Sequence, residues 1–441
     1  LERNGETLDA IGYPSNAPGG SFTSMAETGQ LPSSGPRPQA VFSPRRAPFT
    51  DHDKKLMEEV PGYSEIIGGL TSKERERITK RGAAHMVELF AIMPSAQEVA
   101  VVAYAGKAKR GWYRNSATAL EHIFGNEARR FAGLLAALSP QVSVEVNTRN
   151  ALRSWAAWTA AGRPTSRKDI VRVLAESVGG TGTEAGVLGA WINNSVSALT
   201  VPQADLDTLT LSGPKVNSFM LNLSKHWEEV TNDAWVANYA LVDQTLFKGP
   251  GKGPGYLAIS AKTRQAAQAL TKETGVSWTP AEVQETVWSW AKTTFEALDA
   301  SGETRSVKEL LEAGALTDEM IGATPDFESL FRVEPYAGIL KGAGYADKVA
   351  TLPSPVYEDP GVAPFSDVKR GKLFDNAARR MEFLQRQRRT PLQISWEARP
   401  GESTGVLPGI HKAPLEQQQQ YLADVFAEMD RLKAGNVLGI D

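Results

Sequence analysis

The chain has 441 residues, 41% of them hydrophobic, and a net charge of −3. That length suggests two or three domains, and the apolar share is enough for a real core. The absence of Cys excludes disulfides and Cys-ligated zinc or iron–sulfur centres. The small net charge means that any nucleic-acid contact must come from a local patch.

Residues 1–50 are rich in Gly, Pro and Ser, as in "GYPSNAPGGSFTSM" and "LPSSGPRPQAVFSPRRAPF". No hydrophobic period survives there, so a disordered or extended arm is expected. The sequence starts at Leu1 rather than Met, which suits a processed product or an excised segment.

Residues 51–300 carry a helical period with almost no strand-like alternation, so an all-α domain is predicted. "TSKERERITKRGAAHMVELFAIM" opens with Thr71 and Glu74 at capping-box spacing. "SATALEHIFG" predicts a short helix stopped by Gly125, and "NEARRFAGLLAALSP" one running from a cap at Asn126 to Pro140. "SVEVNTRNALRSWAAWTAAG" predicts a long helix ending at Gly162. "TSRKDIVRVLAESVGG" repeats the same order of cap and Gly. "FKGPGKGPGYLAIS" reads as a mobile loop with Lys252 exposed; it lacks the spacing of a phosphate-binding P-loop. "TPAEVQETVWSWAKTTFEALDA" places Pro280 in a first helical turn. Trp288 and Trp290 diverge on that helix, so one belongs in the core and the other borders a cleft.

Residues 301–350 read as smaller helices packed on this body. Residues 351–365 read as a Pro-rich linker, and residues 366–441 as a basic helix followed by a helical tail. Arg379, Arg380, Arg386, Arg388 and Arg389 make the densest basic run. The tail carries an apolar stripe at Tyr421, Leu422, Val425, Phe426, Met429 and Leu432, which wants a partner surface. No apolar run approaches the roughly 20 residues that span a bilayer, and no membrane partner is expected. The five His residues show no ligand spacing. No metal or other cofactor is expected.

Three short motifs fall in one order along the helical region. "LSPQVSVEVN" places Gln141 at a break between helices. "LSGPKVNSF" makes a tight turn, Ser212-Gly213-Pro214, followed at once by Lys215. "VTNDAWV" sets Asp233 in a polar opening before another helix. A helix start offers free N–H groups to a phosphate and disfavours an ammonium, which lowers a Lys pKa. Together these motifs resemble the helix-hairpin-helix DNA glycosylase superfamily, which includes endonuclease III-like enzymes and phage-encoded glycosylase-like domains. The likeness covers roughly residues 110–300, and Lys215 and Asp233 lie 18 positions apart. It departs from the family pattern in a shorter hairpin and in Trp235 where His is usual.

The resemblance implies a helix-hairpin-helix fold acting on a flipped base in DNA, with Lys215 and Asp233 as the catalytic pair. Gln141, Ser212 and Gly213 would then touch DNA. The basic stretch Lys107, Lys109, Arg110 and Arg114 would contact phosphates, with Trp112 and Tyr113 as stacking candidates. A second enzymatic reading is a phage base-hypermodification enzyme that displaces pyrophosphate from a modified thymine, with Lys215 holding phosphate. A third is a virion component with an inactive glycosylase-like domain, contacting other phage proteins through its arm and tail. The corresponding locations are the host cytoplasm and the virion.

Overall fold

In the computed structural model, described residues are 48–140, 142–178, 189–247, 252–301 and 305–388. They form helices and connecting turns, with no strand among them. Residues 1–47 of the predicted arm and the tail stripe at Tyr421 to Leu432 lie outside the described residues, as do Gln141 and Arg389.

Side-chain caps set many of the helix starts. Thr50 caps α1 (Asp51–Glu59), and α2 (Ser64–Ile67) and α3 (Ser72–Arg75) follow. Thr71 and Glu74 do form the expected capping box, but it opens a single turn. Thr79 then caps a separate α4 (Lys80–Ile92), so the stretch expected as one helix is two. The break lets Glu74 and Arg75 turn inwards into ion pairs with Arg264 and Asp53.

Next come α5 (Ala96–Ala105), α6 (Trp112–Phe124) and α7 (Ala128–Ala137). Helix α6 starts four residues earlier than its sequence suggests, because Gly111 supplies a left-handed turn (φ +90°) before it. Ser143 caps α8 (Val144–Ala160), which ends at Gly162, also left-handed at φ +79°. Helices α9 (Arg167–Ser177), α10 (Gly189–Thr200), α11 (Pro214–Asn222) and α12 (Ala234–Ala240) lead to two long ones, α13 (Pro254–Thr274) and α14 (Pro280–Ala300). Pro280 falls in the first turn of α14, as predicted, and Thr279 and Glu282 box that start. Short helices α15 (Val307–Glu312), α16 (Asp318–Gly322), α17 (Phe327–Arg332), α18 (Tyr336–Gly342) and α19 (Ala346–Ala350) precede the long α20 (Asp367–Arg388).

Three apolar clusters organise these helices. The first unites Trp112, Phe124, Phe131, Trp155, Phe219 and Phe327 from α6, α7, α8, α11 and α17. The second joins α5, α13 and α14 to α20 through Trp278, Trp290, Ala377 and Met381. The third brings α1, α2 and α4 onto α12 and α13. Helices α5 and α14 approach closely where α5 ends: a Cβ on Gly106 would sit 2.2 Å from the Thr286 carbonyl oxygen.

The expected linker at 351–365 is instead a strap on the body. Val356 pairs with the Asn115 side chain through its N–H (2.9 Å) and its carbonyl (3.1 Å). The Pro360 carbonyl accepts from the Trp278 indole, and Val362 N–H donates to the Thr274 carbonyl. The basic helix after it is also part of the body. Arg380 reaches Glu98 at 2.9 Å and the Ile92 carbonyl, while Arg379 bonds within its own helix.

A buried ionic network ties the third cluster to the middle of the chain. Glu74 accepts from Arg264 (2.7 Å) and from Lys252 (3.1 Å), and Lys252 also reaches Glu229 (2.8 Å). The expectation of an exposed Lys252 is thereby corrected, because two carboxylates draw it inwards. Burial alone would raise the Glu74 pKa, but Arg264 and Lys252 outweigh it and hold the carboxyl at about 2. Since this folded value lies below the ordinary 4.5, the stabilisation is complete above about pH 4.5 and is lost as pH falls towards 2. Replacing Glu74 with Gln leaves Arg264 without its anion. We expect a loss of about 3–5 kcal/mol in urea unfolding at pH 7, together with a shallower fall in stability between pH 5 and 3.

Candidate functional site

The tight turn before Lys215 is built by amides. The Ser212 N–H donates to Asn194 Oδ1 (2.7 Å), and Asn194 returns a bond to the Ser212 carbonyl (3.0 Å). The Leu211 N–H donates to Asn217 Oδ1 (2.8 Å). Gly213 takes φ +91°, open to Gly but strained for other residues, and Pro214 starts α11 where a missing N–H costs nothing. Ser212 and Gly213 stay exposed at the tip.

Lys215 is therefore the second residue of α11, and its side chain is half-buried. The ammonium donates to Ser139 Oγ (2.8 Å) and stands 5.5 Å from the Phe219 ring centre. Ser139 is buried and itself donates to the Ala136 carbonyl at the end of α7. Burial lowers the Lys215 pKa, and the Asp233 charge opposes that fall.

Asp233 caps α12. One carboxylate oxygen, Oδ1, accepts from the backbone N–H groups of Trp235 (3.0 Å) and Val236 (3.2 Å). The other, Oδ2, accepts from the Trp288 indole at 2.6 Å. Burial raises the Asp233 pKa, while Lys215 and the three N–H donors pull against that rise. The Lys and the Asp thus lie within each other's field, Lys215 on the first cluster and Asp233 beside the third.

The loop between them is fixed by buried polar groups. Asn222 Nδ2 donates to the carbonyls of His226 and Glu229, and Thr231 donates to Asn222 Oδ1 (2.6 Å). The Tyr256 hydroxyl donates to the Val230 carbonyl (2.6 Å), with the Pro214 carbonyl alongside at 3.3 Å, and accepts from Asn232 N–H (3.2 Å). Asn232 Nδ2 bonds back to α13 at the Tyr256 carbonyl and at Ser260.

The other expected residues fall elsewhere. Tyr113 is buried; its hydroxyl donates to Gln284 (2.8 Å), and its pKa is raised well above the ordinary value by burial. Trp112 is buried against Phe219 and Phe327 and donates to the Pro325 carbonyl. Both rings are core, so neither offers a free face for stacking. Glu285 takes the N–H groups of Gly111 (2.5 Å) and Tyr113 (2.8 Å), and burial pushes its pKa up to about 8.

The basic stretch is turned to the protein's own acceptors. Lys109 is buried on the Gly322 and Thr324 carbonyls. Arg110 is buried on the Ser277 and Asp359 carbonyls, near Glu282 and over Trp278. Lys107 pairs with Asp318, and Arg114 with Glu282 and Glu358. Of the four, Lys107 and Arg114 keep part of their surface in solvent. Ser139, Trp288 and Tyr256 join the site without having been named as catalytic or binding residues. Ser139 stands two positions before Gln141 in the quoted motif, whereas nothing local pairs Trp288 with a carboxylate 55 positions away.

Comparison with known proteins adds one match. Residues 99–295 match the model of a family of unknown function (DUF7178). No curated protein and no solved structure matches. The DUF7178 segment contains Ser139, Lys215, Asp233, Tyr256 and Trp288, while Glu74, the strap and α20 lie outside it.

Two measurements probe this geometry. Asp233→Asn removes the charge that supports the Lys215 ammonium, so Lys215 should titrate at a still lower pH than in the unaltered chain, read by NMR of the 13C-dimethylated amine. Tyr256→Phe removes one buried hydroxyl and leaves Asn232 N–H and the Val230 carbonyl without it. We expect about 1–3 kcal/mol lower stability in urea unfolding.

Proposed function

We propose that the chain is a DNA-acting enzyme of the helix-hairpin-helix glycosylase type, using Lys215 and Asp233 on a flipped nucleotide. The observation that carries this reading is the placement of a half-buried Lys at a hairpin-borne helix start within the field of a helix-capping Asp. A buried amine is easier to deprotonate, and a neutral amine is a nucleophile. A carboxylate in a poorly solvated site stabilises positive charge developing on a sugar.

In this reading the Lys215 amine attacks C1′ of the deoxyribose. The C1′–N bond to the base breaks, and its electron pair leaves with the base, which takes up a proton. The amine loses one proton as the C–N bond forms; the C1′–O4′ bond then breaks, O4′ takes its electron pair and the second amine proton, and the nitrogen lone pair completes the imine. Water then releases the sugar and restores the Lys. Flipping the base costs a few kcal/mol and must come first. DNA contact falls to the exposed tip at Ser212 and Gly213, with Lys107 and Arg114 as the partly exposed cations.

The competing assignment, Lys215 as a pyrophosphate holder in a base-hypermodification enzyme, fits less well. A phosphate holder gains from a fully charged ammonium, and burial works against that charge. Borohydride trapping separates the two. A covalent protein–DNA adduct that disappears in Lys215→Ala is the expected result, on DNA containing damaged or modified bases. Absence of any adduct across such substrates, with DNA-dependent pyrophosphate release lost in Lys215→Ala, would transfer the site to the other chemistry.

A further inference from the structure

We propose that Trp288 is a positioning residue for Asp233, its indole N–H holding the carboxylate in one rotamer and in its ionised form, a role that rests on the Lys215–Asp233 reading above. The two α12 N–H groups that bond the Asp233 side chain, those of Trp235 and Val236, both converge on Oδ1. Among the described residues, the donor to Oδ2 is Trp288, reaching across from α14 at 2.6 Å. With donors on both oxygens the carboxylate cannot swing about its terminal torsion, which is otherwise soft. Hydrogen bonds to the charged form also favour that form, against the burial that opposes it.

The indole is itself held. Trp288 is half-buried and packs against the third apolar cluster, while Trp290, two positions on, faces the second cluster and meets Tyr239 edge-on. The two Trp residues of "VWSW" therefore divide as their helical spacing requires, one into the core and one to the site. The ionisable groups that act on this region include Lys215 from α11, Tyr113 from α6 and Tyr256 from α13, with Glu285 of α14 beyond Tyr113. Lys215 favours the Asp233 anion, and Tyr113 stays neutral because burial raises its pKa. Trp288 is thus a neutral donor that sustains the anion without adding charge to compete with a cationic sugar.

The test uses the full chain with 13C-labelled Asp carboxyls, with Asp233→Asn to assign the Asp233 signal. Trp288→Phe removes the donor and shrinks the ring. Placing 3-benzothienylalanine at 288 keeps the bicyclic shape and exchanges only the N–H for sulfur, so it decides the matter if the Phe variant does not fold. In the sulfur analogue Asp233 should titrate at higher pH than in the unaltered chain, and the acidic limb of the pH profile for borohydride trapping should move the same way. An Asp233 titration unchanged in the sulfur analogue overturns the role of Trp288, even where adducts still form. A shifted titration in a protein that traps no DNA supports the role of Trp288 and counts against the glycosylase reading.

Discussion

The hydroxyl of Tyr256 is the constraint on which the site depends. It is buried, and it joins the Val230 carbonyl, the Asn232 N–H and the Pro214 carbonyl. Pro214 immediately precedes Lys215, and Asn232 immediately precedes Asp233. One oxygen on α13 therefore bridges the backbone just before two residues that flank different packing clusters. Replacing a fixed polar contact of this kind with water would allow each chain segment to settle separately, and a reactive pair needs its geometry held closely. The neighbouring amides of Asn222 and Asn232 serve the same end by satisfying the loop's carbonyls and anchoring it to α13.

Much of the helical framework was legible in the sequence because it is written in local chemistry. Ser143 before α8, Thr279 and Glu282 around Pro280, and Gly162 after α8 all act on groups within a few residues. The motif order set Lys215 and Asp233 together as candidates, and each lies within the other's field. The fate of the basic stretch was not legible. Whether Lys109 and Arg110 face solvent depends on carbonyls more than 160 positions away, at Ser277, Gly322, Thr324 and Asp359, and no local pattern announces those. Aromatic residues between cations look the same in sequence whether they stack on a base or on Phe219.

The division of labour between charged groups also becomes clear only in three dimensions. Arg264, Lys252, Glu74 and Glu229 are matched in a partly buried network that holds the third cluster against the loop before Asp233. Such groups are costly to bury singly and acceptable together. Lys215 is treated differently. It receives a neutral hydroxyl from Ser139 at contact distance, and Asp233 supplies only a weaker opposing field. Lys252 is thus paired with two carboxylates, whereas Lys215 has a hydroxyl at contact distance and a carboxylate only within its field.

The strap has a consequence for how the chain reaches this state. Three of its bonds join positions 241 to 257 apart: Asn115 to Val356, Arg110 to Asp359 and Tyr104 to Gly361. Arg380 on Glu98 spans 282. The DUF7178 segment is thus enclosed between flanks that close over it from its far side. During synthesis the segment leaves the ribosome well before Asp359, whose carbonyl completes the Arg110 contacts, and Pro360, which accepts from Trp278. Its final packing must wait for them, and loop closures this long slow folding. Excised at its own borders, the segment would keep Lys215 and Asp233 and lose the Val356, Asp359 and Pro360 contacts to Asn115, Arg110 and Trp278.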